Sequence, residues 1–146
     1  MGANMARHLK DTGWTVSAVY DINRDVAGAL ASEIGAQNCE TLASVTEASD
    51  VIITVVTNDD AMRSIFLGEG DNLLVGGAGK TFINCATLSP GIHREIEKAA
   101  AAVGAKSFEA CMASSISHAR EGNLYLMLAG DESVFNEQRA LLEELS

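Results

Sequence analysis

Proline is almost absent from this chain. Pro90 is the only one in 146 residues, which argues against a Pro-rich linker or a string of modules. Long apolar runs are absent too. The run Val51-Ile52-Ile53 resumes at Val55-Val56, Leu124 to Ala129 is six residues long, and all fall far short of the roughly 20 residues a membrane helix needs. Three cysteines (Cys39, Cys85, Cys111) make no C-x-x-C pair, so neither a disulfide framework nor a zinc ribbon is expected. Basic residues are scarce, 10 against 20 acidic ones, for a formal charge of −10. That balance disfavours nucleic acid or an anionic membrane as partner. It leaves open an anionic small molecule, because helix N-termini bind phosphate whatever the net charge. No basic stretch followed by an apolar run opens the sequence, so no secretory leader is expected. A cytoplasmic protein with reduced thiols is the resulting expectation.

What is present is alternation. With 47% apolar residues, one domain of this length has enough material for a core. Residues 4–11 have helical spacing, with Met5, His8 and Leu9 on one side and Gly13 as a stop. Residues 14–20 read as a strand ending at Asp21. Residues 23–34 read as a helix carrying Val26, Leu30 and Ile34. Short elements are expected at 37–40 (strand) and 41–48 (helix). The apolar run 50–56 fits a parallel strand covered on both faces. Asn58 caps a helix to residue 66, and 80–86 is the next strand. Ser89 caps a helix with Pro90 at its first position, ending near Gly104. Strands at 106–111 and 123–130 flank a short element at 115–121, and one helix from an Asp131 cap closes the chain. Helices between strands at this spacing predict an α/β fold: a Rossmann-like, doubly wound, mostly parallel sheet with ligands beyond its carboxyl ends.

One motif is half visible. In a dinucleotide-binding unit a strand runs into G-x-G-x-x-G and a helix, and an acidic residue closes the second strand about 20 residues later. Gly2 stands directly before the first helix, and Asp21 follows at that spacing. Gly2 then corresponds to the last glycine, the one that lets helix and strand pack closely. The first strand and the other glycines are missing from the pattern.

Four blocks carry a family resemblance. "MGANMARHL" matches the second half of G-x-G-x-M-G-x-x-M-A-x-x-L through Met1-Gly2, Met5-Ala6 and Leu9. "DVIITVV" followed by Asn58 looks like a fourth strand and cofactor loop. "FINCATLSPGIHREI" resembles D-x-S-T-x-x-P through Thr87 and Pro90. "EACMASSISHAREGNLYLMLAGD" resembles D-A-P-V-S-G-G-x-x-x-A-x-x-G-x-L-x-x-M-x-G-G through Ala110, Ala119, Gly122, Leu124, Met127 and Gly130. Together they resemble the β-hydroxyacid dehydrogenases, the superfamily of 3-hydroxyisobutyrate and 6-phosphogluconate dehydrogenases, over the whole chain.

That resemblance implies an NAD- or NADP-binding domain of an oxidoreductase acting on a small β-hydroxy acid, of the 3-hydroxyisobutyrate or tartronate-semialdehyde type. Gly2 and Asn4 would lie near the pyrophosphate. Asp21 would accept hydrogen bonds from the adenosine ribose, favouring NAD over NADP because a carboxylate repels a 2′-phosphate. Thr57, Asn58 and Met62 would line the adenosine and nicotinamide-ribose side, and Thr87 would sit near the nicotinamide ribose. In the substrate loop this sequence departs from the family. Ala113 replaces the serine that helps hold the substrate carboxylate, and Ser114 and Ser115 replace two glycines, whose backbones approach a ligand more closely. The family's catalytic lysine matches none of Lys10, Lys80, Lys98 or Lys106, so the chain is expected to be a single incomplete domain, truncated at both ends, lacking the helical second domain and inactive alone. No catalytic residue is assigned within it. His8, His93 and His118 show no metal spacing, so no metal site is expected, and Cys85 and Cys111 read as small core fillers. A second reading stays open: a non-catalytic α/β binding or interaction module. In either reading a sheet without its first strand leaves edges through which two copies can pair.

Overall fold

The computed structural model describes residues 1–146. Its elements follow the order α1 (Gly2–Asp11), β1 (Ala18–Val19), α2 (Arg24–Ile34), β2 (Gln37–Asn38), α3 (Leu42–Ala48), β3 (Val51–Thr54), α4 (Asp59–Leu67), β4 (Thr81–Asn84), α5 (Pro90–Ala102), β5 (Lys106–Met112), α6 (Ile116–Glu121), β6 (Leu126–Ala129), α7 (Glu132–Glu137) and α8 (Arg139–Leu145). Strands β3, β4 and β5 run parallel, and β6 closes the sheet antiparallel to β5. Strands β1 and β2 form a separate parallel pair. The expectation of a mostly parallel sheet with helices between strands is met.

Side-chain alternation along β4 divides the core in two. Phe82 joins a cluster with Ile52, Met62, Phe66, Ile92 and Ile96, under α4 and α5. Ile83 joins the opposite cluster with Met5, Leu9, Phe108, Leu142 and Leu145, under α1 and α8. Successive strand residues point to opposite faces, so a strand covered on both sides needs apolar side chains on both, which β4 has in Phe82 and Ile83. The polar Asn84 of β4 is paired: Thr54 Oγ1 on β3 donates to Asn84 Oδ1 at 2.7 Å inside the core.

Several boundaries differ from expectation. The strand expected over 14–20 is reduced to Ala18–Val19, because only its β2 edge is paired: Ser17 O and Val19 O accept from Gln37 N and Cys39 N. In α2 the buried stripe is Ala27, Leu30, Ala31 and Ile34, while Val26 is exposed. The i, i+3, i+4, i+7 face runs through Ala27, and Val26 lies about 100° around from it. The closing helix is broken at Gln138 (φ −102°, ψ 10°). The break lets α7 lie on β5 while α8 turns across α1.

The α1–α8 contact is fixed by His8. Its Nε2 lies 3.0 Å from Glu144 O and 2.9 Å from Glu144 Oε1. Both oxygens accept, so Nε2 carries the proton. That bond is the leading reason the Glu144 carboxyl is held below its ordinary range. Gly122, at φ +68°, packs against the same imidazole, and a Cβ there would strike His8 Nε2 and sit 2.8 Å from Glu144 O. Gly122→Ala is therefore expected to lose about 1–3 kcal/mol, combining left-handed strain with displacement of His8. Urea unfolding followed by circular dichroism measures it, and an unchanged midpoint would show that α8 yields freely.

Candidate functional site

The loops that leave the parallel strands at their carboxyl ends bring most of the expected residues to one edge. At its centre is the start of α1. Gly2 packs on the residue just beyond β3: a Cβ on it would lie 3.5 Å from Val55 Cβ and Cγ2. The first turn of α1 has no side-chain cap, whereas α2 to α7 are capped by Asn23, Thr41, Asn58, Ser89, Ser115 and Asp131. Only α8, which continues from α7, shares that lack. Uncapped N–H groups with a positive dipole end are the donor set an anionic group takes. Asn4 ties this turn to the distant substrate loop: its Nδ2 donates to Ile116 O at 3.2 Å, and its Oδ1 accepts from Arg7 Nη1 at 3.0 Å.

Asp21 stands exposed just past β1. Its Oδ1 accepts from Asn23 N at 2.8 Å, so the helix cap is Asn23 and not Asp21. Arg24 is occupied beside it. Its Nη1 donates to Asp21 O, its Nη2 donates to Asn38 Oδ1, and its guanidinium lies 5.6 Å from the Tyr20 ring centroid. Tyr20 and Val56 both pack against the α4–α5 core cluster.

Thr57 and Asn58 are exposed on that segment. Asn58 Oδ1 caps α4 by accepting from Ala61 N at 2.8 Å, which leaves its amide as the available donor. Met62 departs from expectation: it is fully buried among the α4–α5 core residues. One turn into α4 from the exposed cap, its side chain faces the sheet, so it supports the loop from below and cannot line a ligand. Thr87 is exposed, and its hydroxyl donates to Met112 O at 3.1 Å, clasping the ends of β4 and β5.

In the substrate loop the serines serve the backbone. Ala113 N donates to Tyr125 O. Ser114 Oγ accepts from Tyr125 N at 2.7 Å. Ser115 caps α6, and His118 completes a reciprocal box by accepting from Ser115 N through Nδ1 at 3.2 Å.

Two groupings escaped the sequence. Asp59, on the first turn of α4, accepts from both Ser89 N and Ser89 Oγ at the start of α5. The hydroxyl bond and then the amide bond hold the Asp59 carboxyl below its ordinary value. Beneath them, His93, Glu109 and Cys111 converge, with their ligand-type atoms all within 4.8 Å of one another. The histidines are therefore not all isolated, as their spacing suggests. Glu109 and Cys111 alternate onto the strand face that α5 covers, and His93 is the α5 residue that meets them. The E-x-C pattern on a strand was a visible signal for two of the three. Neither nearby thiol is poised as a nucleophile: burial pushes Cys85 up to about 12, with Cys111 adding to it, and burial followed by Glu109 raises Cys111.

A mostly parallel sheet with helices between its strands, a helix start beside its carboxyl edge and a carboxylate just past β1 form the pattern of a dinucleotide-binding α/β domain. The comparisons place it more closely. The model of the NAD binding domain of 6-phosphogluconate dehydrogenase matches residues 1–146, and the chain belongs to that family. Pseudomonas aeruginosa 3-hydroxyisobutyrate dehydrogenase is 31% identical over 146 residues, 99% of this chain and 48% of that one. Escherichia coli 2-hydroxy-3-oxopropionate reductase is 30% identical, over 99% of this chain and 49% of its own. The solved Mycobacterium tuberculosis 3-hydroxyisobutyrate dehydrogenase with L-serine superposes with a TM-score of 0.87 at 24% identity, over 100% of this chain and 48% of that one. The chain thus spans about half the length of the curated relatives it matches. No helix is long and apolar enough to cross a membrane.

The Asp59–Ser89 tie generates a pH prediction. A carboxylate whose pKa is lowered on folding stabilises fully above its unfolded value and loses that contribution as pH falls through the folded one. The melting temperature of the parent should exceed that of Asp59→Asn by a constant margin at neutral pH. The margin should close only below pH 3.8, the ordinary value from which Asp59 is lowered. Thermal melts across pH 2–7 check this: a margin that stays constant down to pH 2 would assign the tie no charge dependence, and one that vanishes well above 3.8 would contradict a lowered Asp59.

Proposed function

We propose that this chain is the cofactor-holding domain of an NAD-dependent oxidoreductase acting on a small hydroxy acid. The observation that carries the reading is the uncapped first turn of α1 packed beside Val55 at the carboxyl edge, with Asp21 closing β1. The N–H groups at Gly2 would take the pyrophosphate, with Asn4 holding that turn to the substrate loop. Asp21, fixed by Asn23 N, would accept from the adenosine ribose hydroxyls. Thr57 and the Asn58 amide would border the cofactor past β3, and Thr87 past β4. Bound nicotinamide supplies the hydride acceptor; the protein supplies orientation.

NAD is favoured over NADP on two grounds. An exposed carboxylate at Asp21 repels a 2′-phosphate. Arg24, the nearest cation in sequence, already donates to Asp21 O and Asn38. The hydroxy-acid reading rests on the relatives' activities and on loop 112–115, where Ala113, Ser114 and Ser115 would border the substrate through their backbone, both serine hydroxyls being committed to the chain. Within this reading the domain is one part of a longer enzyme whose acid/base lysine is supplied by a helical second domain, and the chain alone does not turn over.

Calorimetric titration tests the cofactor assignment. NADH should bind at least about tenfold more tightly than NADPH, a difference of about 1.4 kcal/mol. Asp21→Ala should weaken NADH and bring the two affinities together. Equal or reversed preference in the parent chain would overturn the NAD assignment, and an Asp21→Ala variant with unaltered NADH affinity would remove Asp21 from the site.

A further inference from the structure

The buried cluster at the carboxyl end of β5 does not depend on the dinucleotide reading. Its three ligand-type atoms form a nearly equilateral triangle. Cys111 Sγ lies 3.8 Å from His93 Nε2 and 3.9 Å from Glu109 Oε2, and His93 Nε2 lies 4.0 Å from Glu109 Oε2. A point equidistant from the corners of such a triangle is about 2.3 Å from each, against Zn–S of about 2.3 Å, Zn–N of about 2.0–2.1 Å and Zn–O of about 2.0–2.2 Å. Movements of a few tenths of an ångström would bring all three onto one ion.

The histidine gives an independent reason to look for a ligand. It is 3% exposed; its Nδ1, which the ion would not touch, has no partner, so the case rests on Nε2. Its Nε2 meets only the sulfur and the carboxylate oxygen, both beyond the 2.7–3.2 Å of an ordinary N–H···O bond. A buried imidazole left so poorly satisfied is costly. The Cys111 thiol donates to Ala86 O at 3.3 Å, a bond that metal binding would replace; toward one another the carboxylate, thiol and imidazole are poor partners, but each offers a lone pair to a cation. Glu109 is partly exposed, with a side-chain accessibility of 29%, so one side of the triangle is open to solvent.

We infer that His93, Glu109 and Cys111 form a binding site for a borderline divalent cation of the Zn2+ type, clamping α5 to β5, with a fourth position open to water on the Glu109 side. Three protein ligands with one open position is an arrangement zinc accepts. Binding converts the Cys111 thiol to a thiolate and releases one proton to solvent. The two ligand charges then balance the ion, with the imidazole neutral.

Co2+ is the probe, because a cobalt–thiolate bond reports itself optically. The reduced, chelator-treated 146-residue chain should take up one equivalent of Co2+ with a thiolate-to-cobalt charge-transfer band, which Zn2+ then bleaches, and Zn2+ should raise the melting temperature. Glu109→Gln, a change at a partly exposed side chain, should weaken Co2+ binding at least about tenfold, the lower end of what even outer partners of metal ligands contribute. Cys111→Ser should abolish the band while circular dichroism shows the fold retained. Absence of the band in the parent chain, persistence of the band in Cys111→Ser, or unchanged affinity in Glu109→Gln would each overturn the assignment.

Discussion

Strands β3, β4 and β5 run in one direction, and the remaining features of the edge follow from that. A parallel strand must be followed by a return crossover, so each loop after a strand leaves at the same end of the sheet. Val55 to Asn58, Ala86 to Ser89 and Ala113 to Ser115 are far apart in the chain but neighbours in space. The register holds them level, with Thr54 opposite Asn84 and Asn84 opposite Glu109. The buried Thr54–Asn84 bond and the Thr87–Met112 clasp reinforce that alignment where the strands stop. β4 makes this possible by being apolar on both faces, so that helices can cover both.

The order of elements was legible because it depends on short-range chemistry. Asn23, Asn58, Ser89, Ser115 and Asp131 each cap the helix they precede, and a cap needs only a side-chain oxygen within reach of a nearby N–H. Features set by long-range pairing were not legible. Residues 14–17 have strand composition, yet extended backbone becomes ladder only where a neighbour supplies hydrogen bonds, and β1 has one neighbour. Val26 and Met62 fail for a related reason. A helical repeat fixes which residues share a stripe, but only packing decides which stripe faces the sheet. The site followed the same division: Gly2 and Asp21 were visible as a spacing, whereas Asn4 to Ile116 and Asp59 to Ser89 are contacts no local pattern encodes.

Capping also separates side chains that are spent from those that are free. Asn58 and Ser115 stand where a ligand is expected, but each commits an oxygen to its own helix. What remains is the Asn58 amide and the backbone. The α1 turn is the reverse case, with donors that no side chain satisfies. Under the proposed reading, the donors an anion would meet at this edge are therefore those of α1, in a chain whose net charge of −10 offers no general attraction to phosphate.

The substrate loop shows how a departure from a family pattern alters its physics. Glycine in that loop keeps the backbone bare and permissive. Here the two replacements are serines, and both hydroxyls are turned inward on the chain. Ser114 holds Tyr125 N, and Ser115 holds the first turn of α6 in a reciprocal box with His118. The loop is thereby hydrogen-bonded to the residue before β6 and to α6, and Asn4 bonds the start of α6 in turn to α1. Hydrogen bonds thus run from α1 to the start of α6 and from residues 113–114 to Tyr125 just before β6, on either side of the loop.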